Sequence, residues 1–125
     1  MPVTPVKTEP GQGLSALTQA VVRARNWVHQ ATPVLENHHL TLEEWLVLDV
    51  LASCDGAPMK DLAEATGASN ATLSRHVDAL ARRGMIFREV AFNDRRKILI
   101  HLSRRGRSTH HRVTEDLDQD CPGFT

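Results

Sequence analysis

Two short helical signals joined by a glycine-containing turn, a basic β-hairpin directly after them, and further helical signals on both flanks predict the fold class. It is a mainly α chain with a small β-hairpin wing, that is, a winged helix-turn-helix with flanking dimerisation helices. The 125 residues suffice for one domain with a modest core. Hydrophobic residues make up 41% of the chain, yet no run approaches a membrane span. The opening MPVTPVKTEP has no apolar segment and is not a secretory signal, so a cytoplasmic, nucleoid-associated location is expected, with no membrane partner.

Residues 1–13, with three prolines and two glycines, are expected to form a disordered N-terminal arm. Leu14, Leu17, Val21, Ala24, Val28 and Ala31 then recur at three- and four-residue steps, which predicts a helix ending near Pro33. This helix and a connector fill residues 14–40 as a dimerisation segment. Thr41 and Glu44 form an S/T-x-x-E capping box, opening a helix from Leu42 to about Cys54 that is apolar on several faces and therefore central. Asp55-Gly56-Ala57-Pro58 is turn chemistry. A short helix follows from about Met59 to Thr66, with Leu62, Ala63 and Ala65 inward, and Gly67 suits its left-handed end. Ser69 is a good N-cap for a helix over about Asn70–Arg83, striped by Leu73, Val77 and Leu80. Met85–Ala91 and Lys97–Leu102 read as strands around a polar tip at residues 92–96. This completes a winged helix-turn-helix DNA-binding domain over residues 41–102. Ser103 caps a last, poorly amphipathic helix to about Asp118, within a C-terminal helix and tail over residues 103–125.

The formal net charge of zero conceals a strong segregation. Residues 1–68 hold four Lys/Arg against eight Asp/Glu, residues 69–112 hold eleven against three, and residues 113–125 hold none against four. A polyanion would be attracted to the middle segment and repelled by the ends. In a helix-turn-helix the second helix enters the major groove with its N-terminal residues at base edges. Once Leu73, Val77 and Leu80 face the core, Asn70, Ala71, Thr72, Ser74, Arg75 and His76 are left outward. Small residues permit approach; Arg matches guanine O6/N7 and Asn matches adenine N6/N7. Ser69, besides capping, joins Thr72 and Ser74 as a phosphate-binding candidate at a helix N-terminus. Arg95, Arg96 and Lys97 crowd the hairpin tip, where a minor groove of negative potential attracts cations. Asp94 can also fix a neighbouring arginine there. Arg82, Arg83, Arg88, Arg104, Arg105 and Arg107 are candidates for phosphates or plain solvation.

The apolar helix after Leu40, L-A-x-x-x-G at Leu62–Gly67, S-x-x-T-x-S-R-x-V-x-x-L at Ser69–Leu80, R-R-G at Arg82–Gly84, D-R-R at Asp94–Arg96 and L-S-x-x-G at Leu102–Gly106 occur in this order. The series resembles the multiple-antibiotic-resistance regulator (MarR) family over residues 40–107, with weaker similarity back to Leu14. The resemblance implies a homodimer on double-stranded DNA at a pseudo-palindromic operator, usually as a repressor, with a recognition helix at residues 69–83. It implies that Asp94 and Arg96 belong to a wing pattern placing an arginine in the minor groove. It also implies dimerisation through terminal helices and, in many members, release by a small aromatic ligand; other members sense oxidation or metal. The C-terminal HHRVTEDLDQDCPGFT departs from the long apolar final region of the family, so the dimer is expected to lean more on residues 14–40 or to have a smaller interface.

Trp27, His38 and Trp45, with His29 and His39 nearby, are the candidate lining of an aromatic-ligand pocket; packed core tryptophans and exposed histidines are the simpler alternative. The His38-His39 and His110-His111 pairs do not share a helix face, so no metal ligand is assigned and no cofactor is expected. Cys54 follows an apolar run and reads as a buried filler, while Cys121 falls in a tail expected to be flexible. No nucleophile with a paired base and no phosphate loop supports an enzyme. The competing class is a winged-helix module that binds protein, which would not need arginine-rich recognition and wing elements together.

Overall fold

The computed structural model describes the backbone of residues 10–122 and the side chains of residues 15–122. The elements run α1 (Pro10–Asn37), α2 (Leu42–Ala52), β1 (Ala57–Pro58), α3 (Met59–Thr66), α4 (Asn70–Arg82), β2 (Ile86–Ala91), β3 (Asp94–Leu102) and α5 (Arg104–Asp120). The strands form one antiparallel sheet in the order β1-β3-β2. This is a winged helix-turn-helix with a long helix on each flank.

The capping box at α2 is complete: Glu44 N donates to Thr41 Oγ1 at 3.1 Å, and Thr41 N donates to Glu44 Oε1 at 3.0 Å. The helix buries Trp45, Val47, Leu48 and Leu51 and packs against α1, α3, α4, α5 and β3. Leu62 of α3, Leu73, Val77 and Leu80 of α4, Ile100 of β3 and Val113 of α5 close this core. Between α3 and α4, Gly67 takes φ 76° and donates to Ala63 O at 2.9 Å. A Cβ there would meet nothing within 4 Å, so the backbone angle alone demands glycine. At the start of α5 the demand is space: a Cβ on Gly106 would lie 2.0 Å from Met85 O. Ser103 caps that helix by accepting from Gly106 N, and its hydroxyl donates to Gly84 O at 2.6 Å. These contacts fix α5 against the root of the wing.

Several expectations are corrected by the fold. Helix already runs through residues 10–13, which were expected to belong to the arm; the remainder of that arm, residues 1–9, lies outside the described residues. Helix α1 continues through Pro33 to Asn37 instead of stopping there. An interior proline costs about 3 kcal/mol. Val34 and Leu35 just beyond it are 4% and 2% exposed, and burying two such side chains is worth about 1.5–3 kcal/mol each. Core packing therefore outweighs the proline. Ala57–Pro58, expected as turn only, adds a short strand on β3. Ala65 is exposed, not inward.

The cysteines exchange roles. Helix α2 ends at Ala52, so Cys54 lies past its last turn and is exposed. Cys121 is 1% exposed, and its Sγ donates to Gln30 O of α1 at 3.3 Å. The tail thus folds back onto α1 through Cys121. In contrast, residues 15–27 of α1 are exposed throughout.

Candidate nucleic-acid interface

The rotation of α4 follows from its buried stripe. With Leu73, Val77 and Leu80 in the core, Asn70, Ala71, Ser74 and Arg75 are exposed, while Thr72 and His76 are half-buried. Ser69 is the N-cap: its Oγ accepts from Thr72 N at 3.2 Å and donates to Thr72 Oγ1 at 3.0 Å. Both hydroxyls are therefore engaged in capping. The backbone N–H groups of the first turn keep the partial positive charge of a helix start, beside Ser74 and Arg75 one turn on.

The hairpin is tighter than expected. Its turn is Phe92-Asn93 alone, and β3 begins at Asp94. Val90 pairs with Ile98 but Ala91 pairs with Asp94, so Arg95, Arg96 and Lys97 form an excess in β3 at the end of the wing. All three are exposed. Asp94 Oδ1 accepts from Arg96 N at 3.0 Å and lies 3.6 Å from Arg96 Nε. The Arg96 side chain is nevertheless 95% exposed, and an exposed pair of this kind is worth only about 0–1 kcal/mol. Asp94 biases the arginine without sequestering it.

Two of the other arginines have structural partners. Arg88 on β2 pairs with Asp78 on α4, tying the wing to that helix. Arg83, at the C-cap of α4, donates to His39 O at 2.6 Å and His38 O at 3.4 Å, with Glu44 Oε1 at 3.7 Å. It fastens α4 to the α1–α2 turn, where His39 has φ 58°. Composition alone does not signal this role, because the acceptors are carbonyls 44 and 45 residues away.

The three ligand-pocket candidates do not line one cavity. Trp27 is 40% exposed on α1 and lines a groove of about 500 Å³ with Thr18, Gln19, Val22, Arg23, Asn26 and Gln30. His38 and Trp45 face α5 instead. His38 Nε2 lies 2.6 Å from Asp116 Oδ2. Trp45 is buried and stacks on His110 with ring centroids 4.9 Å apart, and His110 Nε2 lies 2.8 Å from Asp49 Oδ1. Asp49 and Asp116 were not singled out from the sequence, and His110 only as half of a histidine pair, since their partners are 61 and 78 residues distant. Among the described residues, no helix is long and apolar enough to cross a membrane.

Fold and interface define the class: a winged helix-turn-helix protein that presents a basic reading face. The model of the MarR family matches residues 40–98, from the start of α2 through most of the wing. The homoprotocatechuate degradative operon repressor of Escherichia coli is 26% identical over 105 residues, spanning 83% of this chain and 71% of the repressor. The transcriptional repressor CouR, solved on a 23-mer DNA duplex, superposes with a TM-score of 0.77 at 23% identity, covering 94% of this chain and 84% of CouR. NadR in complex with 4-hydroxyphenylacetate superposes with a TM-score of 0.74 at 21% identity, covering 99% and 84%.

Proposed function

We propose that this chain is a sequence-specific DNA-binding transcription regulator that acts as a homodimeric repressor and is released by a small aromatic acid. The observation that carries the reading is the pairing of the exposed N-terminal half of α4 with the cationic end of the wing, inside the one basic segment of the chain. In this reading Asn70, Ala71, Ser74, Arg75 and His76 meet base edges in the major groove. Ser69 and Thr72 shape the helix start against a phosphate, and Arg95, Arg96 and Lys97 engage the minor groove.

The dimer contact is assigned to α1 with α5. Leu17, Val21, Val22 and Trp27 are exposed apolar side chains on α1, which a second copy would cover. The effector is assigned to the groove on α1 that Trp27 lines; His38 and Trp45 face α5 and lie outside it. The relatives support its chemistry: one is named for a homoprotocatechuate operon, another holds 4-hydroxyphenylacetate.

Selection of bound duplexes from a random pool tests the reading. The expected product is a pseudo-palindrome whose half-sites lie about one helical turn apart, 10–10.5 base pairs centre to centre, or a multiple of it. Recovery of no preferred sequence would reject it. Repeating the selection with phenolic acids reports the effector as a loss of recovered DNA.

A further inference from the structure

Phe92 has no place in the core, in the dimer contact or among the polar groups assigned to DNA. It is half of the two-residue turn that ends the wing, and it is fully exposed, at 108%. It also has apolar company. Val90 and Ile98 are cross-strand partners, 54% and 45% exposed. By strand alternation they share a face with the pairs Ile86–Leu102 and Arg88–Ile100. Ile86, Leu102 and Ile100 on that face are buried, and Arg88 reaches across to Asp78 of α4. An apolar stripe therefore leaves the core on the α4 side of the wing, passes Val90 and Ile98, and reaches the tip at Phe92.

Apolar surface of this kind at the end of an isolated hairpin costs solubility unless a partner covers it. The partner's chemistry is set by the surroundings: Arg95, Arg96 and Lys97 lie within five residues of Phe92 and are exposed. A cationic collar around an apolar point matches a polyanion with an apolar interior, which is the make-up of a DNA minor groove with sugar walls and stacked bases. That groove is about 6 Å wide and admits the edge of one ring on a narrow turn. Aromatic side chains placed there unstack a base step and bend the duplex, most easily at flexible pyrimidine–purine steps.

We propose that Phe92 is an apolar wedge that enters the minor groove beside Arg96 and unstacks a base step, with Val90 and Ile98 lying against the deoxyribose wall. The wing then selects its site by DNA deformability as well as by charge. This inference rests on the regulator reading above.

The test uses the full chain and the duplex it selects, with 2-aminopurine placed at the step facing the wing. Wild type should raise the 2-aminopurine fluorescence on binding. Phe92→Ala should bind about tenfold or more weakly, the loss expected for one buried aromatic contact. It should abolish the fluorescence rise and leave the slope of log affinity against log salt unchanged, because no phosphate contact is removed. Phe92→Leu should keep most of the affinity. Circular dichroism of Phe92→Ala should match wild type, as the side chain is exposed. Affinity of Phe92→Ala within twofold of wild type, or an unaltered fluorescence rise, overturns the wedge while the regulator reading stands. A shallower salt slope for Phe92→Ala also overturns it, since the residue would then act by ordering the cations. Failure of wild type to bind any duplex removes the regulator reading itself, and the wedge with it.

Discussion

At the scale of single residues, equal charges do unequal work. Arg96 extends into solvent from the wing, biased by an Asp94 that contributes little energy. Arg96→Ala is expected to leave the thermal midpoint unchanged, to weaken operator binding for all sequences, and to reduce the salt slope by about one. Fluorescence anisotropy over a salt series measures this, and an unchanged slope would remove the arginine from the phosphate or groove contacts. Arg83 is the opposite case. Its guanidinium donates to the His38 and His39 carbonyls beside Glu44. Charge-assisted hydrogen bonds are worth about 1.5–3 kcal/mol each when well made, and partial exposure reduces this. Arg83→Ala should therefore lower stability by about 1–3 kcal/mol in urea titration. The two arginines look alike in sequence; only the distant carbonyls separate them.

At the scale of elements, what could be read from sequence was what local chemistry decides. Thr41 with Glu44, Ser69 and Ser103 mark helix starts because a side-chain oxygen must satisfy a first-turn N–H, and each does so. The Leu73–Val77–Leu80 spacing fixes the outward face of α4. What escaped depends on contacts between elements. Pro33 signals a stop locally, but Val34 and Leu35 find the core beyond it. Cys121 sits in a polar tail and is buried because the fold brings it against α1, where its Sγ donates to Gln30 O. Two substitutions probe this level. Pro33 is exposed within a helix, so Pro33→Ala should raise stability by up to about 3 kcal/mol, read as a higher urea midpoint. A lower midpoint would mean that the ring itself packs productively. Gly106→Ala forces a methyl into Met85 O and should cost about 1–3 kcal/mol, detaching α5 from the wing root.

For the whole molecule, charge is segregated, and the exposed large apolar side chains fall on α1 and on the wing. Basic residues gather on α4, the wing and the start of α5, while the end of α5 is acidic. On α1 the exposed apolar side chains are Leu17, Val21, Val22 and Trp27, within residues 15–27, which are exposed throughout. Such a division suits a dimer that holds two reading heads at a fixed separation. The His38–Asp116 and His110–Asp49 pairs join α5 to the α1–α2 region, and Arg83 joins that region to α4. Val22→Glu combined with Leu17→Glu should give folded monomers by analytical ultracentrifugation, with operator affinity reduced by at least a hundredfold because two half-sites are no longer bound together. Persistence of the dimer would move the interface elsewhere.

The central claim is that the N-terminal half of α4 reads base edges. Its most direct measurement is the affinity of wild type and Arg75→Ala for the selected duplex and for every single-base-pair variant of it. The account predicts that Arg75→Ala loses about 1–3 kcal/mol of discrimination at one base pair, repeated symmetrically in each half-site, while the other positions keep theirs. An unaltered specificity profile, or a uniform weakening at all positions, would contradict it.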